Sequence, residues 1–161
     1  MDSPIAYAKW IAAQPCFDGL HDPNKKTALI EPYHDPVGYP TIGYGHLLSR
    51  TAWDRLEKYL PITVEKAEHL LEADLAKAYR VVRRLCPVTL TDYQAGALID
   101  FTFNCGGGNL EISTLRRCVN RGDMERAADQ FSRWVFAKGV KLPGLVKRRA
   151  IESQMFRGMI Q

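Results

Sequence analysis

The sequence predicts an α+β fold that is mainly helical, with a small antiparallel sheet in an N-terminal lobe, a long connecting helix and a helical C-terminal lobe. Three observations carry that expectation. Between Ala28 and Leu48, short apolar or aromatic runs are broken by Pro32, Pro36, Gly38, Pro40, Gly43 and Gly45, the texture of a tightly turned sheet. From Thr63 to about Leu85, Ala67, Leu70, Leu71, Leu75, Ala78 and Val82 recur at helical spacing and share one face. Beyond Pro87 the pattern stays helical to the end of the chain.

Taken in order, Ser3 reads as an N-cap and Pro4 as the first position of a helix over Ile5–Ala13, closed by Pro15. The polar stretch Asp18–Lys26 (DGLHDPNKK) reads as a loop. After the sheet, Thr51 is placed to cap a helix over Ala52–Tyr59, and Thr63 to cap the long helix, which Pro87 ends. Thr91 caps the next helix, in which Tyr93, Ala97, Leu98, Phe101 and Phe103 are expected to be buried and which Gly106, Gly107 and Gly108 stop. Further helices are expected near Ser113–Asn120, Met124–Trp134 and Leu145–Phe156. This spacing describes one domain: an N-terminal lobe over about 14–62, a connecting helix over about 63–86 and a C-terminal lobe over about 87–161, with the helix at 4–13 packed on the last. A cleft between two such lobes is a usual place for a binding site.

Composition narrows the partners only a little. The net charge of +4 suits a polyanionic target such as nucleic acid, an anionic membrane face or an acidic cell wall, and solubility alone explains it equally well. No helix-turn-helix register or basic–aromatic interleaving points to nucleic acid. Cys16, Cys86, Cys105 and Cys118 have neither CxxC nor zinc-finger spacing and read as buried thiols, so no metal and no cofactor is expected. The stretch MDSPIAYAKWIAAQPCF lacks a basic n-region and a long apolar core. The expectation is therefore synthesis in the cytoplasm without a signal peptide and without stable membrane insertion.

The segment Tyr33–His46 (YHDPVGYPTIGYGH) carries the chemistry. A carboxylate in a turn followed by a hydroxyl on the next strand, Asp35 and Thr41, can jointly hold and activate a water. On its own, Asp-Pro with a nearby Gly is better read as an ordinary hairpin turn.

More than that one segment is present. With Phe17-Asp18-Gly19-Leu20 before it, and with Asp35, Thr41, Gly43, Gly45 and His46 at their observed spacing, the hairpin resembles that of the phage-type (T4-like) lysozymes, the endolysins of glycoside hydrolase family 24. The resemblance continues through ALIDFTFNCG (Ala97–Gly106), Ser113-Thr114-Leu115, AADQFSRW (Ala127–Trp134) and LPGLVKRRAIESQMF (Leu142–Phe156), covering nearly the whole chain. It implies a lysozyme-like two-lobed fold and hydrolysis of the β-1,4 bond between N-acetylmuramic acid and N-acetylglucosamine of peptidoglycan. The implied protein is a monomer working on glycan strands after a separate membrane-permeabilising protein lets it reach the wall.

The resemblance also assigns roles. Such a hydrolase needs one carboxyl that protonates the glycosidic oxygen and one carboxylate across the bond. Asp35 and Thr41 match the water-placing pair. The acid position falls on Asp18, where the family has glutamate, if His21–Ala28 is an inserted loop. Asp is one methylene shorter, and a displacement of about 1 Å at a reacting centre costs roughly a hundredfold in rate. Glu31 is the rival acid. A lytic transglycosylase, or a peptidoglycan binder impaired by the aspartate, are the alternative readings. His46 is expected to pair with Asp74 on the connecting helix rather than bind metal. Arg148 matches an arginine that approaches the acid across the cleft, and a surface charge on a basic helix is the plainer reading. Leu47, Phe103, Thr114 and Gln130 fall where the family lines its saccharide groove. Lys138, Lys141, Lys147, Arg148 and Arg149 form a basic cluster that suits an anionic wall or simply a solvated face.

Overall fold

Side-chain caps mark where most of the helices begin. The computed structural model describes residues 3–14, 21 and 28–160. Helix α1 spans Pro4–Ala12; the Ser3 hydroxyl accepts the Ala6 N–H, and Pro4 occupies the first turn, where its missing N–H costs nothing. Helix α2 spans Val64–Leu85, with the Thr63 hydroxyl accepting the Lys66 N–H. Helix α3, Asp92–Cys105, starts with a reciprocal capping box: the Gln94 N–H donates to the Thr91 hydroxyl, and the Gln94 side-chain oxygen accepts the Thr91 N–H. Short helices α4 (Gly107–Ile112), α5 (Thr114–Asn120) and α6 (Met124–Gln130) lead to the last helix, α7 (Pro143–Phe156).

Between α1 and α2 lies a three-stranded antiparallel sheet in the order β1 (Tyr33–His34), β2 (Pro40–Ile42), β3 (His46–Leu47). Its register pairs Thr41 with Tyr33 on one side and with Leu47 on the other. Ile30 and Ile62 exchange both backbone hydrogen bonds, at 2.7 and 3.0 Å, and so tie the start of the sheet to the start of α2. This is a mainly helical fold with small antiparallel sheets.

Three sequence expectations need correction. No helix runs over Ala52–Tyr59: only a single 3₁₀ turn forms, Leu56–Lys58, because Trp53 adopts a left-handed backbone (φ 59°) and donates its N–H to the Gly38 carbonyl instead of to a preceding turn. Of the three glycines after α3, only Gly106 breaks the helix (φ 87°), and Gly107 already opens α4. The helix expected over Met124–Trp134 ends at Gln130 and passes into a 3₁₀ turn, Phe131–Arg133. A second hairpin, β4 (Phe136–Ala137) with β5 (Val140–Lys141), was not anticipated; Lys138 (φ 47°) and Gly139 (φ 78°) make its two-residue turn.

The core gathers α1, α2, α3 and α7 around Ile11, Leu71, Leu75, Leu98, Phe101, Phe131 and Phe156, all buried. Phe101 meets Phe131 and Trp134 edge to face, with ring centroids 5.7 and 5.4 Å apart. Helix α1 crosses α3 at Gly96, where a Cβ would stand 2.4 Å from that of Tyr7; only glycine allows this approach. Cys86 and Cys118 are buried free thiols and Cys105 is half-buried, with burial pushing the thiols of Cys86 and Cys105 up to about 11. Cys16 lies outside the described residues. Among those described, no helix is long and apolar enough to cross a membrane.

Charges also sit inside this core. Arg148 grips Asp100 through two hydrogen bonds, Nε to Oδ2 at 2.8 Å and Nη2 to Oδ1 at 2.6 Å, and Asp100 has no exposed surface. One residue on, Arg149 donates to Glu152 at 2.6 Å and to Asn104 at 2.9 Å. Burial drives the Glu152 carboxyl well above the usual range, against the pull of Arg149. Arg148 and Arg149 are thus not part of a solvated basic face; Lys138, Lys141 and Lys147 are.

Candidate active site

Tyr39 organises the hairpin that the sequence singled out. In the turn between β1 and β2, the Asp35 carboxylate accepts two backbone N–H groups on the same oxygen, Oδ1: from Val37 at 2.9 Å and from Tyr39 at 2.8 Å. The Tyr39 carbonyl in turn accepts the Asp35 N–H at 3.0 Å and the Thr41 hydroxyl at 2.9 Å. One residue therefore fixes both candidate groups. Among the described residues nothing donates to the second carboxylate oxygen of Asp35, which is left to accept from a water. The Thr41 hydroxyl spends its proton on Tyr39 and keeps its lone pairs for an O–H donor. Thr41 is buried at the middle of the sheet, and Asp35 is half-buried at its end.

At the far end of the same sheet, His46 Nδ1 donates to Asp74 Oδ2 at 2.6 Å, the pairing expected from the sequence, and Lys77 reaches the other Asp74 oxygen at 2.9 Å. This pins β3 to α2. Burial works to raise the Asp74 carboxyl, but the hydrogen bonds from His46 and Lys77 outweigh it and hold the group below the usual carboxylate range. A lowered carboxyl confers its stabilisation above its unfolded-state pKa and loses it as pH falls through the folded value. Asp74→Asn should therefore cost about 1 kcal/mol near neutral pH, the scale of a partly screened pair. In urea titrations across pH, the gap between variant and wild type should begin to narrow near about pH 4 and close once the pH is well below that. A gap that persists there would make the lost contact a packing effect.

The groove residues divide. Thr114 and Gln130 line one shallow pocket of about 260 Å³ together with Ile112, Ser113, Arg133 and Trp134. Arg117 donates to the Thr114 hydroxyl at 2.8 Å, and Arg133 to the Gln130 side-chain oxygen at 3.4 Å. Leu47 and Phe103 do not line that pocket; Leu47 is 45% exposed on β3, and Phe103 is half-buried beneath the Arg148 guanidinium, 5.7 Å from its ring centre. Asp18 lies outside the described residues, as does most of the inserted loop, residues 22–27. Glu31 precedes β1 and is half-buried. Lys138, read from the sequence only as part of a basic cluster, donates from Nζ to the Val37 carbonyl at 3.1 Å and joins the tip of the second hairpin to the Asp35 turn. Asp100 was not singled out from the sequence, although a lone acid within the apolar run ALIDFTF is itself a signal for a buried ion pair.

The family model for phage lysozymes matches residues 27–152. The chain belongs to the phage lysozyme family. Among relatives in that family, a SAR-endolysin of Escherichia phage Mu is 40% identical over 122 residues, covering 75% of this chain and 67% of the phage Mu protein. Among solved structures, the muramidase domain of SpmX from Asticaccaulis excentricus superposes with a TM-score of 0.72 at 28% identity, over 97% of this chain and 95% of that one. An endolysin from the Escherichia coli O157:H7 phage FAHEc1 also gives 0.72, at 26% identity over 99% and 94%.

Proposed function

We propose that this phage lysozyme family member is an endolysin that hydrolyses the β-1,4 bond between N-acetylmuramic acid and N-acetylglucosamine in peptidoglycan and so lyses the host cell. The observation that carries the reading is the Tyr39-centred geometry. It holds the Asp35 carboxylate and the Thr41 hydroxyl on one backbone unit, an arrangement suited to placing a water between them. The relatives' names, endolysin and muramidase, support the substrate.

In this reading Asp18 is the acid that protonates the departing oxygen, while Asp35 and Thr41 place and activate the water that attacks the sugar carbon. Thr114 and Gln130 hold N-acetyl groups in their pocket, and Leu47 and Phe103 pack against sugar faces. Arg148 acts on the acid's orientation from within the core, and the His46–Asp74 pair keeps the hairpin seated on α2. The N-terminal lobe with the sheet and the helical C-terminal lobe face each other across the glycan strand, which a single protomer engages. The enzyme reaches the wall through a membrane opened by a separate protein.

Digestion of purified peptidoglycan, followed by mass spectrometry of the muropeptides, tests the reaction. Hydrolysis yields reducing N-acetylmuramic ends. Products lighter by one water would instead make the enzyme a lytic transglycosylase. Binding to walls without clearing them, with clearing gained in Asp18→Glu, would make it an impaired binder. Clearing unchanged in Asp18→Ala and abolished in Glu31→Ala would move the acid to Glu31.

A further inference from the structure

Trp53 stands in a backbone conformation that a bulky aromatic residue rarely adopts, and it is nevertheless 69% exposed. Such strain persists only where the surroundings impose it, and it gathers at working sites. Here the surroundings are the Asp35 turn. The Trp53 N–H donates to the Gly38 carbonyl at 2.7 Å, and the Gly38 N–H donates to the Asp35 carbonyl at 2.9 Å. The indole lies against Gly38, where a Cβ would sit 2.6 Å from Cε2; glycine is needed there both for that contact and for its own φ of 93°. The His34 ring flanks the indole, with centroids 5.1 Å apart. Neither Trp53 nor its neighbours in the loop join the hydrophobic core. Stability alone would be served as well by glycine or asparagine at this position.

We propose that Trp53 is a carbohydrate-stacking platform, a further subsite beside the Asp35 turn that takes the C–H face of a pyranose ring of the glycan strand. A pyranose presents a patch of C–H groups ringed by hydroxyls, and a flat, immobilised indole matches that patch while leaving the hydroxyls in water. The one side of the indole that is covered seats on the hairpin carrying the water-placing carboxylate. A ring stacked on the exposed side is thereby indexed to Asp35. The inference rests on the glycan-cleaving reading and adds to it a further aromatic contact beside the Asp35 turn, apart from Leu47 and Phe103.

The test uses Trp53→Gly, which removes the platform while relieving the left-handed backbone, and Trp53→Tyr, which keeps a flat ring. The readouts are binding of a hexasaccharide of β-1,4-linked N-acetylglucosamine by the full chain, wall-clearing kinetics, and the thermal midpoint. Trp53→Gly should weaken hexasaccharide binding and raise KM about tenfold with kcat changed less than about threefold, at a thermal midpoint equal to or above wild type. Trp53→Tyr should recover most of the loss. Wild-type KM and binding in Trp53→Gly, a fall in kcat at constant KM, or no better performance by tyrosine than by glycine would each overturn the platform. Wall clearing and binding that are the same in wild type and Trp53→Gly keep the hydrolase reading and lose this one. Wild type that binds the hexasaccharide through Trp53 but never clears walls does the reverse, and wild type that does neither overturns both.

Discussion

Asp35→Asn should clear outer-membrane-stripped cells roughly a thousandfold more slowly than wild type, within the range usual for loss of a group that handles a proton, while its circular dichroism stays unchanged. The separation of effects follows from how the carboxylate is used. Oδ1 is committed to the N–H groups of Val37 and Tyr39, and the asparagine carbonyl takes over both bonds, so the turn survives. The side-chain NH₂ then occupies the position of the second oxygen and presents a donor where the attacking water needs an acceptor. Turbidity traces under identical wall loading measure the loss. A variant retaining more than about a tenth of the wild-type rate would remove Asp35 from the chemistry and leave it as a turn residue.

Asp100→Asn should be the most destabilising conservative change in the core. Asp100 gives Arg148 two charged acceptors in a place without water, and removing one partner of a buried pair costs about 3–5 kcal/mol because the arginine loses its bidentate counter-charge. For a chain of this size that is a drop of roughly 10 °C or more in the thermal midpoint. The double variant Asp100→Leu with Arg148→Met replaces the pair by apolar side chains and should recover most of the loss. Urea and thermal unfolding of both proteins check this. If the double variant is as unstable as the single one, the deficit comes from packing around α3 and α7 rather than from the arginine's lost bidentate partner.

Much of the architecture was legible because local chemistry and burial agreed. Thr63 precedes a strongly periodic helix and Thr91 a helix buried through its middle, and each caps its helix. Thr51 has the same local signal, yet the helix it announces does not form, since the N–H of Trp53 is claimed by Gly38, a contact no window of sequence contains. The β4–β5 hairpin was hidden for another reason: two residues per strand are too few to show alternation, and only the Lys138-Gly139 pair marks the turn. At the candidate site, motif and spacing singled out Asp35 and Thr41, and the family resemblance pointed to the His46–Asp74 contact. The part of Tyr39 was not, because it acts through its backbone, and main-chain groups leave no trace in residue type.

The packing of α1 against α3 has a consequence for how the protein is made. Tyr7, Ala8, Ile11 and Ala12 find their cover on α2, α3 and α7, all later in the chain. While ribosomes extend the nascent polypeptide, α1 emerges with its apolar stripe uncovered. It stays so until the sheet, α2 and α3 have followed, and the contact at Gly96 is among those that close over the longest stretch of chain. During that interval α1 is the segment most available to chaperones or to a neighbouring nascent chain. A permutant that places α1 after α7 would shorten the wait and, by the same logic, speed productive folding.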